Sequence, residues 1–184
     1  MSILRETTAK EHTYVEELPF VQYLLKGNVS EEHYVVYLAE MAEIYSRLES
    51  LADQVGLLND LNGLHRAQRI REDLEELSPG HVTVLTASTQ TYLQYLDQLA
   101  QSDRSPYLFA HVYVRHLGDM YGGKLIARAV PGTGRWYQFD NRSELVKAFN
   151  AKLSLDLADE AKVAFGYFGD IFQDIWSRIN IGNE

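Results

Sequence analysis

Apolar residues recur every three or four positions along most of this chain, and almost nowhere in strict alternation. That spacing marks helices with one buried face. The clearest run opens at Ser30, a capping residue, and carries Tyr34, Leu38, Met41, Tyr45, Leu48 and Ala52 along one side. A first helix is predicted from about Ser2 to Leu18, where Pro19 stops it, followed by a turn at Lys26-Gly27-Asn28. Gly56 and Gly63 punctuate the next stretch. His65 to Leu77 reads as a polar surface helix closed by Ser78-Pro79-Gly80, and Val82 to Ala100 as a further helix despite its four threonines. Ser105 and Pro106 open a helix that reaches Val130 and ends at Pro131-Gly132. A loop from Pro131 to Asp140 packs Trp136 and Phe139 inward. Asn141 and Glu144 fit a capping box opening a helix to about Leu157, and Asp159 to Arg178 is a last helix with one strongly apolar face. With no internal repeat and no linker, the expectation is an all-α fold with residues 1–184 as a single domain.

One segment breaks the helical pattern from within. Arg115-His116-Leu117-Gly118-Asp119-Met120-Tyr121-Gly122-Gly123-Lys124 places three glycines inside a predicted helix. Each costs about 1 kcal/mol relative to alanine, so something must offset the loss. Gly118 and Gly122 are four apart, which strips side chains from one face and lets a flat object or another backbone approach, with room for a kink. Arg115 and Asp119, also four apart, border that bare patch with opposite charges. Close packing of two helices on small residues explains the glycines equally well at this level.

Composition narrows the chemistry. The net charge of −9, with no basic tail, argues against nucleic-acid binding. Cysteine is absent, which removes disulfides, thiolate metal sites and cysteine nucleophiles and suits a cytoplasmic chain. No apolar run is long enough for a membrane span.

Six histidines raise the question of a metal. None has glutamate three residues before it, so the paired Glu-x-x-His motif of di-iron bundles is missing. A single axial imidazole is a smaller demand, met by haem. Arg5, Ala9, His12 and Glu16 form a helical stripe in which Glu16 could orient the His12 ring and Arg5 could meet a haem propionate. An ordinary surface histidine paired with Glu16 fits the same spacing. His111 and His116 read as surface or packing residues, with His111 able to join a polar network near Arg115.

Three stretches in order resemble the haem oxygenase family. Lys10-Glu11-His12-Thr13, followed by Phe20 and Lys26-Gly27, is similar to its proximal helix. Tyr113 to Gly123 resembles its distal helix, whose signature is Gly-Asp-x-x-Gly-Gly, and Glu160-Ala161-Lys162-Val163-Ala164-Phe165 matches near the end. The resemblance implies haem b held between a proximal helix and a kinked, glycine-rich distal helix, with His12 on iron. It implies that Gly118, Gly122 and Gly123 admit the porphyrin, that Asp119 holds a water that donates to bound O2 while staying ionised beside Arg115, and that Arg115 and Tyr45 share its network. Tyr113, Phe165 and Glu16 join the haem contacts, and Lys147 and Asn150 face the propionates, Asn150 standing where the family has arginine. Phe165-Gly166-Tyr167-Phe168 stands where the family often has an amide. The implied reaction gives biliverdin IXα, carbon monoxide and ferrous iron. The ending Asn183-Glu184, without an apolar anchor, is similar to enzymes that take electrons from ferredoxin and feed a bilin reductase. A non-catalytic haem-binding or sensor protein of the same fold, and a helical bundle for an unrelated ligand, are the competing readings.

Overall fold

Residues 3–180 are described by the computed structural model; the predicted start at Ser2 and the ending Asn183-Glu184 lie outside them. Among the described residues ten α-helices follow in order: α1 Ile3–Thr7, α2 Ala9–Glu16, α3 Pro19–Leu25, α4 Glu31–Gln54, α5 Ala67–Leu77, α6 Ala87–Ala100, α7 Leu108–Val112, α8 Gly118–Ala129, α9 Arg142–Ala151 and α10 Ala158–Asn180. No strand occurs among the described residues, and no described helix is long and apolar enough to cross a membrane.

The central element is α4. Ser30 caps it as predicted, accepting from His33 N–H at 3.2 Å, and its predicted stripe of Tyr34, Leu38, Met41, Tyr45, Leu48 and Ala52 is fully buried. It packs against α5, α6 and α7, while α10 lies along α2, α3, α6 and α7. The long apolar faces of α4 and α10 thus set the frame on which the shorter helices are hung. Truncating any of these leucines to alanine costs about 2–5 kcal/mol.

The boundaries differ from the predicted ones for local reasons. The first helix bends at Thr8 (φ −114°, ψ 15°), whose hydroxyl bonds back to the Leu4 carbonyl at 2.8 Å. Pro19 ends the preceding run but also starts α3, where it occupies the first turn after an extended Leu18. Residues 82–85 are not helical; α6 begins only after Thr86, whose hydroxyl accepts from Thr89 N–H at 3.3 Å. The Asn141–Glu144 capping box does not form: Asn141 makes no side-chain cap bond, and its amide nitrogen donates to the Asn62 carbonyl at 3.0 Å. That helix stops at Ala151, and Ser154 then caps a 3-10 turn over Leu155–Leu157.

The glycine-bearing helix is continuous over 108–129 but not uniform. Between α7 and α8, Tyr113–Leu117 form a π turn that ends at Gly118. Such a turn inserts an extra residue per turn and re-aims the side chains that follow it. The predicted irregularity is present, and it sits one step before the first glycine.

Candidate functional site

Two helices supply the predicted residues. On α2, His12 and Glu16 are about half exposed and meet at 3.3 Å through Nδ1 and Oε2. That contact uses Nδ1 and leaves Nε2 out of it. The Phe165 ring of α10, itself buried, stands edge-on to the His12 ring at 5.9 Å. Arg5 is exposed on α1, and the bend at Thr8 takes it out of strict register with His12.

On α8 the three glycines divide. A Cβ built on Gly118 or Gly122 meets nothing within 4 Å. These two do not serve helix packing, so that explanation fails for them. Tyr121 and Leu125 lie on the same side and are 59% and 68% exposed, giving the face an apolar border. Gly123 is different: a Cβ there would come within 3.0 Å of the Tyr137 ring. Tight packing on Tyr137 is therefore by itself a sufficient reason for glycine at this position. Gly166, next to Phe165, also faces open space.

Behind the bare face lies a buried polar cluster. Asp119 Oδ2 accepts from Tyr45 OH at 2.5 Å and from Trp136 Nε1 at 3.0 Å. Arg115 stands 4.0 Å from Oδ1, and donates to Tyr45 OH at 3.2 Å and Tyr37 OH at 3.3 Å. Its guanidinium lies 4.4 Å from the Phe168 ring centre. Burial pushes the Asp119 carboxyl above the usual carboxylate range, with Arg115, Tyr45, His116 and Trp136 pulling the other way. Desolvation thus outweighs Arg115 in the direction of the shift, while Arg115 and the two hydrogen bonds still favour the charged form. Burial also opposes the Arg115 charge, but Tyr45, Tyr37 and Asp119 raise it well above its usual value. Burial first, then Asp119, holds the Tyr45 phenol neutral.

The remaining predicted residues are less engaged. Tyr113 is buried in the π turn. Lys147 is exposed on α9. Asn150 turns its amide nitrogen to its own helix, at 2.8 Å from the Val146 carbonyl, and its Oδ1 is sealed without a partner.

Several residues of the cluster escape a reading of spacing. Tyr37 sits two turns before Tyr45 on α4 and reaches the same guanidinium. Trp136 reads as core packing, yet a fully buried indole must place its N–H, and Asp119 is where it goes. His116 and His111 are not surface residues. His116 Nε2 donates to Glu49 (2.9 Å), while Glu49 also takes the backbone N–H groups of Arg66 and Ala67 at the start of α5. His111 bridges Tyr92 OH (2.9 Å) and Glu160 (3.0 Å).

The sequence profile of the Heme oxygenase family matches residues 1–174. Heme oxygenase 1 of Nostoc is 29% identical over 94% of this chain and 84% of its own length. Heme oxygenase 2 of Rattus norvegicus is 26% identical over 94% of this chain, which spans only 64% of that longer relative. Among solved structures, heme oxygenase-2 from Synechocystis in complex with heme and NO superposes with a TM-score of 0.83 at 26% identity, covering 97% of this chain and 85% of that one. With an all-α fold shared along nearly its whole length and the glycine-rich segment in place, this chain belongs to the heme oxygenase family.

Proposed function

We propose that this protein oxidatively cleaves haem b to biliverdin IXα, carbon monoxide and ferrous iron, using O2 and electrons from reduced ferredoxin. One observation carries the reading: Gly118 and Gly122 leave a bare face on α8 while Asp119, between them in sequence, is buried in a polar cluster. A flat apolar ligand fits such a face, and helix packing does not explain it.

When bound, haem supplies the iron that carries O2 and the porphyrin edge that is oxidised. The chain does the rest. His12 Nε2 is the free imidazole nitrogen suited to iron, and Glu16 at Nδ1 fixes its tautomer. Phe165 buttresses that ring from α10. Gly118 and Gly122 let the α8 backbone close on the ligand. Asp119 passes protons through water at Oδ1, and burial, which raises its carboxyl, favours the uptake of a proton there. Arg115 and Tyr45 hold that carboxyl in place. Arg5, Lys147 and Asn150 are the groups assigned to the propionates, with Tyr113 behind the ring. Lys124 and Arg128, exposed on α8, are assigned to ferredoxin docking, with a bilin reductase consuming the product in the cytoplasm.

Hemin titration tests the proximal assignment. The native chain should form a six-coordinate Soret spectrum, and His12→Ala should lose it and regain it with added imidazole. An unchanged spectrum in His12→Ala would place the iron on another residue.

A further inference from the structure

We infer that Trp136 is a positioning residue for the distal carboxylate: its indole N–H pins Asp119 Oδ2 and leaves Oδ1 as the oxygen that handles protons. The inference rests on the reading of Asp119 given above and adds a residue to it.

The argument begins with the backbone. Trp136 lies in a 3-10 turn over Arg135–Tyr137, entered through Gly134 at φ 62°, where glycine is favoured. The turn is fastened independently of the indole. Arg135 N–H and Trp136 N–H donate to the two oxygens of Asp73, each at 2.9 Å. The Arg66 guanidinium donates to the carbonyls of Trp136 at 3.4 Å and Gln138 at 2.6 Å. Asp73 and Arg66 are themselves buried, so the turn is held from α5 and its leading edge.

The side chain is fixed as firmly. The indole is stacked on Tyr137 at 4.7 Å, with Tyr45 edge-on at 5.3 Å and Tyr37 at 5.4 Å. In that position its one donor reaches Asp119 Oδ2, the same oxygen that accepts from Tyr45. Two donors on one oxygen stop the carboxylate from exchanging its oxygens by rotation. Among the described residues Oδ1 accepts no hydrogen bond, with Arg115 4.0 Å away. It is also not among the sealed, partnerless side-chain atoms, which are Tyr34 OH, His116 Nδ1, Tyr137 OH and Asn150 Oδ1. Oδ1 is therefore the oxygen left for water. Phenylalanine at this position has no donor and would leave Oδ2 with a single one.

The other groups around the carboxyl are Arg115 and His116 from its own helix, Tyr34, Tyr37 and Tyr45 from α4, Arg66 before α5, and Tyr137 from the turn. Removing the indole donor takes away one of the contacts that stabilise the charged form.

The test uses the full chain in two ways. The sequence has two tryptophans, so a proton–nitrogen correlation spectrum shows two indole resonances, assigned with Trp176→Phe. In the haem-free chain the Trp136 resonance should move as pH is lowered, and this movement should vanish in Asp119→Asn. In the haem-loaded chain, Trp136→Phe should shift the acid limb of biliverdin formation to higher pH by about one unit, with haem affinity unchanged within about twofold. An indole resonance indifferent to Asp119→Asn, or an acid limb unmoved in Trp136→Phe, would reduce Trp136 to packing. If Trp136→Phe does not fold, the indole titration decides alone. That titration needs no turnover, so its failure is distinct from failure of the haem reading.

Discussion

The Tyr45 hydroxyl donates to Asp119 Oδ2 at 2.5 Å and accepts from Arg115 Nε at 3.2 Å. One phenol thus ties the central helix α4 to both charged groups of the distal segment. Tyr45→Phe should leave Arg115 and Asp119 each short of a partner and lower stability by about 1–3 kcal/mol, read by chemical denaturation. It also removes a contact that favours ionised Asp119, so the carboxyl rises further. Activity that needs the ionised form falls as pH drops through this value. The acid limb of the pH–rate profile should therefore move to higher pH, while the alkaline side stays put.

Asp119→Ala should still bind haem, because His12 and the bare face are untouched. Its biliverdin yield should fall by about a hundredfold or more, the scale of losing a positioned proton-transfer group. The Soret titration and product chromatography check the two halves separately.

The glycines give a paired prediction. Gly118→Ala meets open space and replaces a poor helix former, so the haem-free chain should gain up to about 1 kcal/mol. Haem affinity should fall in the same variant. Gly123→Ala drives a methyl into Tyr137 and should lose about 1–3 kcal/mol with or without haem. Thermal melts of haem-free and haem-loaded protein distinguish the two patterns.

Acid should destabilise this fold through two buried groups. Burial holds the His111 imidazole below the ordinary histidine value of 6.5, against Glu160, so its share of stability is complete above that pH and lost as pH falls through the lowered value. Burial works against the Glu49 charge, but His116 and the backbone N–H groups of Arg66 and Ala67 outweigh it and hold the carboxyl below 4.5. Its share is present above 4.5 and lost as pH falls through the folded-state value. The melting temperature should be flat near neutrality and fall below about pH 6.5. Glu49→Gln should lower it at pH 7 and flatten the loss below 4.5.

Periodicity was enough to find α4 and α10, because each buries one face along its whole length. The distal segment was legible because three glycines inside a helix need a reason. What stayed hidden is long-range. Trp136 reaches Asp119 only because Asp73 and Arg66 fold its turn against α5, and no local spacing encodes that. Pro19 hid α3 by serving as both stop and start, and Asn141, spaced for a cap, is tied instead to the distant Asn62 carbonyl through its amide nitrogen.

Single turnover tests the central claim most directly. Hemin is added to the purified chain, the Soret band is recorded, and reduced ferredoxin with its reductase, or ascorbate, is supplied in air. The account predicts that the Soret band gives way to the broad absorption of biliverdin with release of carbon monoxide. A Soret band that forms and survives reduction in oxygen, or one that never forms, would contradict it.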